Sequence, residues 1–161
     1  MSGTTTTRGA SRGDGAGRWV EVRVPLRWAD MDAYGHVNNV AVVQVLEEAR
    51  VAAFGVPANT GAGGGGSAPI DLLEGVAPGV RTFVSQHTVK YRAQMPYRPV
   101  PLRVRVGVAA VKAVSVEVRY ELYDGVDGTL CATATSVMVF VDGESGRPVR
   151  LTAEQRAALA G

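Results

Sequence analysis

The chain contains a single cysteine, Cys131. One thiol cannot form an internal disulfide, so packing alone has to hold the fold, and the composition fits a reducing compartment such as the cytoplasm. No stretch approaches the roughly 20 consecutive apolar residues of a membrane-spanning helix, and a soluble domain with no membrane partner is expected. The opening residues "MSGTTTTRGASRGDGAGR" lack the apolar centre of a secretory signal and read as a disordered tail over residues 1–17. Excess charge is small, a formal +2, and the arginines are interspersed with acids. Nucleic acid is therefore not an expected partner.

Several chemical signatures are also missing. G-x-S-x-G is met in letters by "GASRG" at 9–13, inside the expected tail and not at a strand-to-helix turn, so it is no elbow for a serine nucleophile. "GAGGGG" at 61–66 satisfies G-x-G-x-x-G in letters only. No strand precedes it, "SAP" follows where a helix should open, and no Lys-Ser or Lys-Thr pair makes a P-loop. Residues 58–79 read instead as a flexible glycine-rich loop, with "IDLLEGV" as a short helical piece. Asp30, Asp32 and Gly35 match three positions of a calcium-binding loop, but Tyr34 and Ala41 stand where oxygen ligands are required. Asp32 and His36 lack further zinc ligands at useful spacing, His87 being the remaining histidine. No metal and no organic cofactor are expected.

What remains is enough for one domain with one sizeable core in 161 residues. "RWVEVRVPLRW" alternates Val20, Val22, Val24, Leu26 and Trp28 against Glu21, Arg23 and Arg27, a half-buried strand disturbed by Pro25. A helix is expected from about Asn39 to Phe54, closed by Gly55 and Pro57. Its apolar residues run round most of its circumference, which predicts burial on most sides. Four alternating segments follow, "RTFVSQHTVKYR", "LRVRVGVAAVK", "VSVEVRYELYD" and "TLCATATSVMVFVD". They read as an antiparallel meander. On the first of them His87 is expected to share a face with Phe83, Val89 and Tyr91 and to be a packed core residue. Thr152 and Gln155 form a capping-box pattern for a short helix over 151–161. The fold class expected is α+β, with the main domain at 18–150.

A polar knot, "DMDAYGHVNN", lies directly before the helix. Amides in a helix's first turn have no intrahelical partner and favour negative charge in front of Asn39 and Val40. A thioester carbonyl placed there would gain oxyanion stabilisation, and Asp32 could activate water or attack the carbonyl itself. Gly35 permits a tight turn. Asp30 reads as a turn or capping residue, and Asn38 as either a cap or part of a site.

The run "DMDAYGHVNN", the helix ending in "EEAR", and the later "VSQHTVKYRAQMPYRPVPLRV" resemble the 4-hydroxybenzoyl-CoA thioesterase-like family of hotdog-fold acyl-CoA thioesterases. The likeness runs from about Trp19 to Arg150. It implies a hotdog fold, a five-stranded antiparallel sheet around a long central helix. It also implies hydrolysis of an acyl-CoA, with Asp32 as catalytic carboxylate and the Asn39 backbone N–H polarising the thioester carbonyl. Tyr34, Gly35, His36, Asn38 and Val40 would line the substrate site, and Arg92 and Arg98 are the candidates for coenzyme A. The partners implied are the acyl-CoA and further copies of the chain, as a homodimer or homotetramer with the site at the subunit interface. Where relatives have a tyrosine early in the helix, this chain has Val42 and Val43, which favours aliphatic acyl groups. The alternatives are a non-catalytic acyl-thioester-binding protein and an acyl carrier protein thioesterase. Glu47 and Arg50 are spaced for an intrahelical ion pair.

Overall fold

The computed structural model describes residues 7–12, 18–56, 68–73 and 75–161. Strand β1 (Thr7–Arg12) and strand β2 (Arg18–Val24) precede a short 3-10 turn (Trp28–Asp30) and helix α1 (Asn39–Phe54). β2 stops before Pro25, so Trp28 falls in the 3-10 turn and is 75% exposed rather than inward with the strand's valines. Strands β3 (Val80–Tyr91), β4 (Leu102–Val111), β5 (Ser115–Tyr123) and β6 (Leu130–Asp142) follow, then helix α2 (Ala153–Ala160). This is the α+β class, with a five-stranded antiparallel sheet of β2 to β6 holding the helix in the hotdog arrangement.

The sheet order is β1-β2-β4-β5-β6-β3. Only β4, β5 and β6 form the expected meander. β3 crosses to the far edge and pairs with β6, and the Pro-rich stretch after it is the crossover rather than a tight turn. β1 extends the other edge, with Thr7 opposite Val22 and Arg12 opposite Arg18. Part of the supposed tail is thus a sixth strand. Backbone pairing along the open edge of β2 does not need side-chain alternation, so composition carries no sign of it. Residues 1–6 and 13–17 lie outside the described residues.

The central run of the glycine-rich loop, 57–67, also lies outside the described residues. Its second half is seated on the core. Ile70 and Leu72 are buried, and the Ile70 N–H donates to the Ala53 carbonyl at 3.1 Å. Turns replace the expected helical piece there.

Helix α1 starts at the N-cap Asn38 and stops at Gly55, whose φ of +76° suits glycine. Ala41, Val42, Val45, Leu46, Ala49 and Ala53 pack it into the cluster formed by the inner face of the sheet. Val40, Val43 and Val51 stay outside it, 68%, 38% and 40% exposed. The sheet therefore wraps one side of the helix rather than most of it. α2 carries the capping box read from the sequence, with Thr152 Oγ1 accepting from the Gln155 N–H at 3.1 Å. Among the described residues no helix is long and apolar enough to cross a membrane.

A bulge between Val84 and Gln86 breaks the alternation of β3. Thr82 and Val84 lie opposite Phe140 and Met138. Past the bulge His87, Val89 and Tyr91 lie opposite Ser136, Ala134 and Ala132, which are inward residues of β6. Phe83 faces outward, so it does not share a face with His87. His87 is exposed rather than packed in the core, with Nδ1 2.8 Å from Ser136 Oγ. Partial burial and then the Arg50 charge hold its pKa below the ordinary histidine value.

Leu46 has 0% exposure at the centre of α1. Leu46→Ala is expected to lower unfolding stability by about 2–5 kcal/mol in urea titrations.

Candidate active site

Two segments build the site, the knot before α1 and the crossover after β3. The knot folds on itself through an Asp32 N–H bond to the His36 carbonyl at 2.7 Å and a Gly35 N–H bond to the Asp32 carbonyl at 3.2 Å. Gly35 sits at φ +79°, a backbone conformation that suits glycine in this turn. The crossover then fixes the knot in place. Val37 N–H donates to the Met95 carbonyl at 2.8 Å, and Tyr97 N–H donates to the Gly35 carbonyl at 3.0 Å.

The polar side chains divide into scaffold and surplus. Asp30 is buried and serves the turn: its Oδ2 accepts from the Arg27 N–H at 2.7 Å, and its Oδ1 from the Arg27 guanidinium at 2.8 Å. Asn38 caps the helix, its Oδ1 accepting from the Val40 N–H at 2.9 Å. Val40 therefore has no amide to offer a ligand, and its exposed side chain is not part of the pocket wall. The Asn39 N–H, one residue earlier, has no acceptor among the described residues.

Asp32 is different from Asp30. Its Oδ1 accepts from the Tyr34 N–H at 2.8 Å and the His36 N–H at 3.0 Å, while Oδ2 has no partner among the described residues. The His36 amide, then the Tyr34 amide, holds the carboxyl pKa below the usual carboxylate range. One oxygen anchors the group, and the other meets no partner among the described residues.

An open pocket of about 860 Å³ is lined by Asp32 and Asn39 together. Tyr34, His36, Asn38 and Arg92 also border it, along with Val37, Val42 and Met95 as apolar wall. Gly35, Val40 and Arg98 do not. Arg98 lies instead against the β5–β6 turn, where its Nε is 3.1 Å from Asp124 Oδ2. Asp124 is only 2% exposed and also accepts from the Val126 and Asp127 amides. Burial would raise its pKa, but the Val126 amide and Arg98 outweigh it and the net shift is downward. A loop-anchoring pair is thus what Arg98 forms, in place of the expected coenzyme A contact. Tyr91, Gln94 and Met95 line the pocket and were missed, because only the strand order brings the end of β3 beside the helix N-terminus. Glu47 and Arg50 do form their pair, at 3.9 Å. Among the described residues no group of three or more His, Cys, Asp or Glu is disposed to hold a metal ion.

Arg98→Ala leaves the Asp124 carboxylate buried with one partner fewer. The expected loss is about 1–3 kcal/mol of unfolding stability, read by thermal or urea denaturation.

Known proteins share this fold. The YsmA protein of Bacillus subtilis (strain 168) is 29% identical over 137 residues, covering 85% of this chain and 82% of that protein. The crystal structure of the PA5185 protein from Pseudomonas aeruginosa is 28% identical with a TM-score of 0.60, covering 88% of each chain. A thioesterase from Thermus thermophilus, crystallised with coenzyme A and Zn, is 25% identical with a TM-score of 0.61, covering 86% of this chain and 90% of that one. The family model described as "Thioesterase-like superfamily" matches residues 26–159, from the residue before the knot's anchoring arginine into α2. This chain belongs to the thioesterase-like superfamily.

Proposed function

We propose that the chain hydrolyses acyl-CoA thioesters, within the 4-hydroxybenzoyl-CoA thioesterase-like branch of the superfamily. The observation that carries this reading is that a carboxylate with one free oxygen, Asp32, and a helix-N-terminal amide without an acceptor, Asn39, border the same pocket. In the step proposed, water attacks the thioester carbon as Asp32 Oδ2 takes its proton. The carbonyl oxygen becomes an oxyanion held by the Asn39 N–H. Collapse breaks the carbon–sulfur bond, and the departing thiolate takes up the proton. Direct attack by Asp32, giving a mixed anhydride that water then opens, uses the same two groups. The amide contributes most if it is aimed at the oxyanion rather than the ground-state carbonyl, and one such donor is typically worth roughly 2.7–4 kcal/mol.

The walls suggest the substrate. Val37, Val42 and Met95 form an aliphatic lining suited to an aliphatic acyl chain, and Arg92 at the border is an exposed cation suited to a coenzyme A phosphate. The coenzyme A in the Thermus thermophilus relative supports that carrier.

Asp32→Asn is expected to lower kcat about 10²–10⁴-fold in a thiol-release assay across an acyl-CoA panel. Because Asp32 is held below the ordinary carboxylate pKa, its basic form persists as pH falls. The acid limb of the parent's kcat/KM profile should therefore lie below the usual carboxylate range. Full activity in Asp32→Asn removes the mechanism. Tight acyl-CoA binding with no thiol release in the parent would replace the enzyme with a binding protein.

We further propose a homodimer built on the free edge of β3 and the outer stripe of α1. β3 is a 12-residue edge strand, and Val40, Val43 and Val51 leave apolar surface on the outer side of α1. A long edge of this kind is a ready template for a second copy. Val43→Glu is expected to shift the mass seen by light scattering at micromolar concentration from dimer to monomer. A parent that is monomeric at that concentration rules the dimer out.

A further inference from the structure

We infer that Tyr91 is a positioning residue that fixes the oxyanion-binding end of α1, a role that rests on the hydrolytic reading of the site. The Tyr91 hydroxyl donates to the Asn39 carbonyl at 3.3 Å, across from the last residue of β3 to the first of α1. Asn38 Oδ1 accepts from the Val40 N–H at 2.9 Å. The Asn39 carbonyl and the Val40 N–H belong to one peptide group, so that group is clamped at both ends, by Tyr91 on its oxygen and by Asn38 on its nitrogen. The adjoining peptide carries the Asn39 N–H, the amide that meets no acceptor among the described residues and borders the pocket. Clamping one peptide limits rocking of the next. A catalytic donor has to hold its angle to within a few tens of degrees, so this restriction matters more than its strength as a bond.

A structural irregularity in β3 makes this contact possible. Strict alternation continued from Val84 would turn Tyr91 outward. The extra residue at the bulge between Val84 and Gln86 turns His87, Val89 and Tyr91 inward instead. Tyr91 is nevertheless 55% exposed, so core packing does not explain its orientation. Its hydroxyl is engaged with backbone and needs no contact with the substrate.

The test is Tyr91→Phe in the full chain, which keeps the ring as pocket wall and removes the hydroxyl. Three readouts apply. With the acyl-CoA that the parent turns over best, kcat should fall about three- to tenfold while KM and the acid limb of the pH profile stay at parental values. Backbone ¹⁵N order parameters at Asn39 and Val40 should drop, with those at Leu46 unchanged as an internal standard. Melting temperature should stay at the parental value. Parental kcat with parental order parameters overturns the inference, as does a raised KM at unchanged kcat, which would mean that the hydroxyl touches substrate. A parent that hydrolyses no thioester defeats the proposed function. The order parameters then still decide the clamp, supporting it if they fall and overturning it if they do not.

Discussion

The one-sided burial of α1 determines where everything else can go. Val42, Val45, Leu46 and Ala49 lock the helix against the inner face of the sheet, and each valine or leucine among them contributes on the order of 1.5–3 kcal/mol when fully buried. With axis and rotation set, the first turn can only open at one end of the sheet. The knot and the crossover converge on that end. The polar residues ahead of the helix are thereby assigned different tasks by position alone, although their side chains are chemically close. Asp30 serves a turn, Asn38 serves the cap, and Asp32 has an oxygen to spare.

Several polar groups away from the site are consumed by structure. On the outer face of the sheet, Arg105 pairs with Glu121 at 2.8 Å and lies over the Trp19 ring, and Arg103 lies over Tyr123. Cys131 is fully buried, and burial pushes its thiol pKa up, which makes it a poor nucleophile. Arg98 is held by Asp124. Arg92, by contrast, is an exposed cation that also borders the pocket.

Elements set by local rules could be read from the sequence. Alternation gave β2, β4, β5 and β6, Gly55 closed α1, and Thr152 with Gln155 opened α2, because each depends on residues only a few positions apart. Asp32 and Asn39 were also legible, since both lie in one short motif at a helix start. Long-range pairing was not. The crossing of β3 to the far edge, the recruitment of Thr7–Arg12 by β2, and the arrival of Tyr91 and Met95 at the pocket all depend on which strand finds which edge. The misplacement of Phe83 and His87 on one face has a more local cause. One added residue reverses the phase of a strand, and nothing in "TFVSQHTV" marks where the addition sits.

That added residue separates β3 into halves with different neighbours. Val80 to Val84 runs beside the far end of β6, whereas His87 to Tyr91 reaches the N-terminal end of the helix. Related chains that lost or moved the insertion would present a different set of side chains to the pocket while keeping every other strand in place. Pocket chemistry in such a lineage is open to rewriting by a single-codon insertion or deletion, with the core contacts of Val84 or Val89 exchanged at the same time.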